Sequence, residues 1–393
     1  MMTTSGTDAS PSKSLSGSGE GPLRDLRVIE LNAIGPVPFA AGLLADLGAD
    51  VLRIESPAGQ LDLVDEECAV HLRGRSTVTL DLREPQALVV ARELIATADI
   101  VLEGFRPGVM ERLGLDPAEL VRENPQLIVG RMTGWGQEGP LAHRAGHDID
   151  YIAAAGALRA FGRIGETPVP PLNLVGDFGG GAMFLLVGVL AALWERQQSG
   201  QGQIIDAAMV DGTAYLMMLI QSLAGQGLWS SEHPGTNLLD TGAPFYDVYR
   251  CLDGEFVAVG CLEPKFFAEF AAGIGLDGDA PEQYDRAQWP RLRRLIEDRI
   301  ATKTRAEWEA LFTDTDACVA GVRTMTEAAA HPHLAARGTY LSEPPLQAAP
   351  APRFSRTPGR AVPRRDKIHG ADALTEWGIE AELAETVVGE VDD

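Results

Sequence analysis

Three short stretches of this 393-residue chain carry side chains suited to moving a proton. GHDIDYIAAAGAL (146–158) reads as a helix that begins right after Gly146, with His147 and Asp148 in its first turn. Unpaired N–H groups and the helix dipole favour negative charge there, so a substrate oxyanion could rest against that turn. The same residues have a plainer reading, in which Asp148 steadies the helix start and His147 lies on the surface. NLVGDFGGGAMFLLVGVLAALWER (173–196) sets Asp177 ahead of three glycines and a long apolar helix. Glycines at such a place let a ligand approach the backbone, because no Cβ intervenes. Alternatively, Asp177 caps a core helix and the glycines serve helix packing. Glu263 precedes Pro264, which suits a first helical position. A carboxylate there is stabilised as an anion, and it gains chemical meaning if a histidine needs a partner.

Arginines gather in the first half of the chain: Arg53, Arg73, Arg75, Arg106, Arg112 and Arg131. Several follow predicted strands, so they could converge on one rim and hold phosphates bidentately. Taken singly, each also reads as a solvated surface charge. The formal net charge of -23 argues against a general nucleic-acid or anionic-membrane surface, so any phosphate site must concentrate its arginines locally. No Walker loop, GxGxxG fingerprint, HExxH or GxSxG elbow occurs, and no metal-ligand spacing is seen. Cys68, Cys251, Cys261 and Cys318 are scattered and read as reduced thiols of a cytoplasmic protein.

The elements that must position these residues follow from periodicity. Arg27–Leu31 reads as a buried strand, followed by a helical face of Ala40, Leu43, Leu44 and Leu47 that Gly48 ends. Val51–Ile54, Thr77–Leu82, Ile100–Leu102 and Leu127–Val129 are further strands, and Ala87, Val90, Ala91 and Leu94 mark another helix. Strands alternating with helices predict a parallel, doubly wound sheet, with ligands at the carboxyl ends of its strands. From Gly242 the texture changes: residues 246–260 hold two β-rich runs around Asp253-Gly254, a hairpin signal. Helices follow at Pro264–Ala272, Leu292–Ile300 and Thr304–Phe312, the last opened by a Thr304/Glu307 capping box. The expected division is a Ser- and Gly-rich disordered segment over 1–20, a large domain from 21–207 and 343–393, and a smaller α+β domain at 242–335. Linkers at 208–241 and 336–342 join them, and a final helix is expected near Leu374–Trp377. The longest apolar run, Met183–Trp194, is too short to span a bilayer, so a soluble protein is expected.

Taken together, these residues resemble a known family, the class III CoA-transferase-fold proteins and specifically the α-methylacyl-CoA racemases. The matching text includes LRVIELNAIGPVPFAAGLLADLGADVLRIE, RSTVTLDL, GFRPGVMERLGL, RMTGWGQEGP, AGHDIDYI, PPLNLVGDFGGG, DAAMVDG, GAPFYDVYRCLDGEFVAVG, EPKFF, DACV and PRFSRTP, between Leu23 and Thr357. The resemblance implies a Rossmann-like α/β large domain whose parallel sheet is built from both chain ends, a small domain, and a homodimer with interlocked subunits. By motif, it makes His147 and Asp177 the catalytic pair and Glu263 the glutamate that orients the histidine. It further assigns the Asp148 backbone N–H to the thioester oxygen, with Tyr151 and Asn173 lining the pocket. Ile34, Arg106 and Arg112 match the CoA contacts best, with Arg53, Arg73 and Arg75 as further candidates. Ser56 and Asp150 depart from the pattern, standing where a basic residue and a neutral Asn can occur.

What the resemblance implies is chemically coherent. Racemisation takes a weakly acidic proton from one face of the α-carbon and returns one to the other, so two acid/base groups must flank it. A histidine and a carboxylate supply such a pair, and the reaction needs no cofactor beyond the CoA that the substrate carries. Two other readings stay open. In a CoA transferase of the same fold, the matching aspartate attacks an acyl-CoA to form an anhydride, which would make Asp177 a nucleophile. A non-catalytic acyl-CoA-binding protein is the third.

Overall fold

The computed structural model describes residues 20–59, 64–65 and 68–392. The segment expected to be disordered, 1–20, falls almost wholly outside the described residues. The chain divides into two compact units, one from residues up to 131 with 186–205 and 349–393, the other from 132–185 and 206–348. The boundaries differ from those expected: residues 132–185 pack with the second unit. The stretch 208–241, expected as a linker, carries helices at Met209–Leu216 and Met218–Gly225.

In the first unit the strands are β1 (Arg27–Leu31), β2 (Asp50–Glu55), β3 (Arg75–Thr79) and β4 (Ile100–Glu103). With β5 (Ile128–Thr133) and β6 (Ile204–Ala208) they form one sheet in the order β3-β2-β1-β4-β5-β6. Pairing is parallel from β3 through β5. The strands from β1 to β5 are buried almost throughout, as a parallel sheet covered on both faces is, and mix apolar residues with the buried charges Glu30, Arg53, Arg75, Glu103 and Arg131. Ile29, Leu31, Leu52, Ile54, Val101 and Val129 sit in one core with Val90 and Leu94 of the Pro85–Ala96 helix. The C-terminal segment returns to the same core through Ala373, Leu374, Trp377, Ala384 and Val387, so both chain ends build the core. Among the described residues, however, every named strand of the sheet comes from Arg27–Ala208 and not from the C-terminus as expected. Arg27 stacks over the Trp377 ring at 4.0 Å and donates to its carbonyl at 3.1 Å, which pins that return. Beyond the one expected helix, seen at Gly370–Glu376, a second runs over Ala381–Asp392.

In the second unit, β7 (Tyr246–Arg250), β8 (Phe256–Gly260) and β9 (Val319–Gly321) form an antiparallel sheet. β7 and β8 are the hairpin that Asp253-Gly254 predicted. Their inward residues Tyr249, Val257 and Val259 pack against Phe270, Leu292, Ile296 and Trp308, which lie on the Pro264–Gly273, Trp289–Ile300 and Arg305–Phe312 helices. The Thr304/Glu307 capping box is present.

A continuous helix runs over Leu174–Ser199, 26 residues with a mean hydropathy of 1.9 in its most apolar window. By length and composition alone it is long and apolar enough to cross a membrane, although the Met183–Trp194 run inside it is itself too short to do so. Its opening turns are irregular and carry the glycines and Asp177.

Candidate active site

His147 is the N-cap of the seven-residue helix Asp148–Ala154 and is exposed to solvent. The Asp150 carboxylate reaches back to accept its backbone N–H at 2.9 Å, so the acidic departure at Asp150 serves the helix start. Tyr151 is buried edge-on to Trp135, with ring centroids 4.9 Å apart, and its hydroxyl donates to the Gly146 carbonyl. That bond ties the helix to the turn that launches His147. Among the described residues nothing accepts the backbone N–H of Asp148, which leaves it available to a ligand oxygen.

The glycine-rich stretch opens as a π-helix, Leu174–Ala182, with Asn173 as its N-cap. A π-helix bonds i to i+5, so its first such bond runs from the Phe178 N–H to the Asn173 carbonyl, at 3.3 Å. The N–H groups before Phe178 are left without a partner in the helix. Asp148 accepts that of Asp177 through Oδ1, at 2.6 Å. The Asn173 side-chain amide donates to Asp177 Oδ2 at 3.2 Å. Burial pushes the Asp177 carboxyl above its ordinary range; the Asn173 bond opposes that, the Asp148 charge adds to it, and His147 opposes it. Asn173, Asp148 and His147 thus all bear on Asp177, with Tyr151 tied to the Gly146 carbonyl just before His147.

The glycines after Asp177 answer to packing. A Cβ on Gly180 would lie 2.7 Å from the Thr213 backbone nitrogen, and one on Gly212 only 1.8 Å from the Gly180 carbonyl. The Met209–Leu216 helix is therefore seated against bare backbone. Of the second reading, the helix packing is seen, but Asn173 and not Asp177 stands at the N-cap.

Glu263 is an exposed N-cap of the Pro264–Gly273 helix and makes no capping bond. Among the described residues no hydrogen bond or ion pair joins it to His147 within one chain. Its charge acts instead on Tyr284 and on Cys318, whose pKa values are raised by burial first and by Glu263 next.

In the first unit the candidate CoA contacts fall into two groups. Arg53 and Arg75 are buried and both pair with Glu30, Arg75 at 3.0 Å, while Arg53 also holds Glu55 at 3.0 Å. Arg73 grips Asp46 through two bonds, at 3.0 and 2.5 Å. Arg131 is likewise held by Glu103 and Glu111. These four guanidiniums pair with carboxylates of the fold, a role that the sequence reading, which weighed a phosphate rim against solvated surface charge, did not anticipate. Ile34, Arg106 and Arg112 are exposed and remain the open candidates, and Ser56 only steadies its own turn through Ala58. No group of three or more His, Cys, Asp or Glu gathers as a metal site among the described residues.

Sequence reasoning gave the Asp148 side chain only the task of steadying its helix start and missed its bond to the Asp177 N–H. A signal existed: Asp148 and Asp150 both stand in one first turn, and a single carboxylate suffices to cap it.

A six-stranded, largely parallel sheet whose core the C-terminal helices complete, with a histidine at one helix start and an aspartate on a glycine-rich turn in the second unit, defines a class. The chain belongs to CoA-transferase family III, whose profile matches residues 23–372. Within it, the chain is 43% identical over 366 residues to the α-methylacyl-CoA racemase of Mus musculus, a match covering 92% of this chain and 94% of that protein. The Homo sapiens α-methylacyl-CoA racemase is 42% identical with the same coverage. Succinyl-CoA–D-citramalate CoA-transferase of Chloroflexus aurantiacus is 32% identical, over 86% of this chain and 89% of that protein. The crystal structure of a CAIB/BAIF family protein from Brucella suis superposes with a TM-score of 0.77 at 26% identity, covering 93% of this chain and all of that one.

Proposed function

We propose that this chain is a racemase that inverts the α-carbon of 2-methyl-branched acyl-CoA thioesters through an enolate, with His147 and Asp177 as the two proton-transferring groups. The observation that carries the reading is the half-buried Asp177 carboxyl within the field of an exposed histidine. Relatives 42 and 43% identical that bear the racemase name support it. One group must be protonated while the other is not. Burial holds Asp177 above the ordinary carboxylate range and so closer to an imidazole, which eases exchange of those roles. The free Asp148 N–H is suited to the enolate oxygen; donors of this kind are each worth ~3–4 kcal/mol in comparable sites. Asn173 holds the Asp177 carboxylate, and Tyr151 holds the turn before His147.

The remaining assignments rest on the same reading. Ile34, Arg106 and Arg112 hold the CoA moiety, and the proton chemistry itself calls for no metal or redox cofactor. Glu263 orients the imidazole of a second chain, since no contact within one chain joins it to His147. The Leu174–Ser199 helix supports a homodimer: Met183, Val187, Leu190 and Trp194 recur along one exposed stripe, a face another copy would cover. Free thiols at all four cysteines support a reducing compartment, the cytoplasm. Branched-chain substrates would place the enzyme in fatty acid metabolism.

The test is incubation of one epimer of a 2-methylacyl-CoA with the protein in deuterated water, alongside an acyl-transfer assay. Loss of optical purity with deuterium at the α-carbon is the expected result. The 32% identical relative named as a CoA-transferase favours a second reading, in which Asp177 is the nucleophile. CoA passing to a free acid at a comparable rate, with an acyl adduct trapped on Asp177, would establish that reading and overturn the first.

A further inference from the structure

The Asp148 side chain is 8% exposed, a buried carboxylate beside the proton-transfer pair. Burying a carboxylate is expensive unless it is hydrogen-bonded, so its bonds identify its task. Helix capping is not that task, because Asp150 already closes the start of its helix on the His147 N–H. Asp148 turns the other way. Its Oδ1 accepts the Asp177 N–H at 2.6 Å, a charge-assisted bond to a donor that the π-helix leaves unpaired. Its Oδ2 is buried with no hydrogen-bond partner among the described residues. Gly176 makes room for this contact: a Cβ there would lie 2.4 Å from Asp148 Oδ1.

We propose that the Asp148 carboxylate is a positioning residue for Asp177, anchoring the backbone that carries this carboxyl beside His147. The proposal rests on the racemase reading above. Two effects act together. The bond fixes where the Asp177 backbone stands, and a placement error of about 1 Å at a reacting group can cost ~10²-fold in rate. The charge acts on the proton affinity of Asp177, where a second carboxylate nearby disfavours ionisation. Asp148 and His147 are the charged groups that bear on Asp177, with Asn173 donating from its own helix. Asp211, on the Met209–Leu216 helix packed against the glycines, is exposed.

The experiment measures racemisation by the full-length protein against pH, with kcat and KM separated, for wild type, Asp148→Asn, Asp148→Ala and Gly176→Ala. Asn keeps an oxygen that accepts the Asp177 N–H but removes the charge. It should retain most of the maximal rate, while the acid limb that reports Asp177 as base moves to lower pH. Ala removes both effects and should lower kcat at least ~10-fold, with KM changed little because substrate affinity rests on other residues. Gly176→Ala leaves every ionisable group in place and displaces the Asp148 carboxylate, so it should reproduce the kcat loss of Asp148→Ala. Far-UV circular dichroism and thermal unfolding of the isosteric Asn variant show that the fold is kept. An active wild type with unchanged pH profile in Asp148→Asn and unchanged kcat in Asp148→Ala would overturn the positioning role and leave the racemase reading intact. A wild type that exchanges no α-proton would overturn the racemase reading, and the positioning role with it.

Discussion

Glu30 on β1 and Arg53 on β2 are register partners in the parallel sheet, and their side chains form an ion pair away from water. Arg75 on β3 joins them, so one fully buried carboxylate serves two guanidiniums. Arg53 also reaches Asn32 Oδ1 at 2.7 Å, in the loop that leads to Ile34. Removing one partner of such a cluster strands buried charge. Glu30→Gln should therefore lower unfolding stability by about 3–5 kcal/mol, read from the denaturant midpoint. Replacing Glu30, Arg53 and Arg75 together by Leu, Met and Met should recover much of that loss. A Glu30→Gln protein of wild-type stability would show that the cluster holds little.

The contact between Gly180 and Gly212 predicts a different failure. With a Cβ on Gly212 placed 1.8 Å from the Gly180 carbonyl, backbone must move, and no flexible side chain can yield. Gly212→Ala should cost at least the ~1–3 kcal/mol typical of overpacking. It should also reduce racemisation, because the displaced turns carry Asp177. An exposed helical glycine with open space around it, Gly225, changed to Ala, controls for the loss of glycine itself. Equal effects at the two positions would rule out the helix contact as the cause.

Asp177 links activity to stability with opposite signs. Asp177→Asn and His147→Ala should each cut racemisation by at least ~10²-fold, if each removes one of the two groups proposed to transfer the proton. The folded-state pKa of Asp177 is raised, by burial first, above that of an unfolded aspartate, about 3.9. Its contribution to stability is then fully present below the unfolded pKa and is lost as pH rises through the folded one. At pH 7 wild type carries that penalty and Asp177→Asn does not. The variant should melt higher than wild type at neutral pH, and the gap should close toward pH 4. A gap that widens on acidification would contradict the burial-raised pKa.

Periodicity reveals backbone well here and guanidinium partners badly. The strand at Arg27–Leu31, the hairpin at Asp253-Gly254 and the Thr304 capping box are local features, set by nearest neighbours along the chain, and they stand where the sequence put them. The arginines of β2 and β3 looked like a phosphate rim because each lies on or beside a strand. Their partners, Glu30 and Asp46, are 23 and 27 residues away in sequence and become neighbours only when the sheet forms. The π-helix was equally hidden. Its orphan Asp177 N–H needs an acceptor 29 residues earlier, which no spacing rule names. His147 and Asp177 came from motif resemblance; the residues alone left each of them balanced between a chemical and a structural role.

Glu263 supplies the last prediction. Within one chain it acts on Tyr284 and Cys318, with no bond to His147, yet an imidazole that shuttles protons benefits from a carboxylate that fixes its tautomer. If Glu263 serves the histidine of a second chain, each active site draws on two subunits. Consider a heterodimer of one His147→Ala chain and one Glu263→Ala chain, co-expressed and purified through two different tags. One site combines both lesions and is dead, while the other pairs an intact His147 with an intact Glu263. That heterodimer should regain much of one wild-type site's activity, although each mutant homodimer is crippled. If Glu263 instead served its own chain, every site would carry one lesion, and the mixed dimer would be as weak as the homodimers. Tag-verified heterodimers with no recovered activity would reject the shared site and leave the His147/Asp177 chemistry untouched, whereas monomeric behaviour at assay concentration would reject the dimer itself.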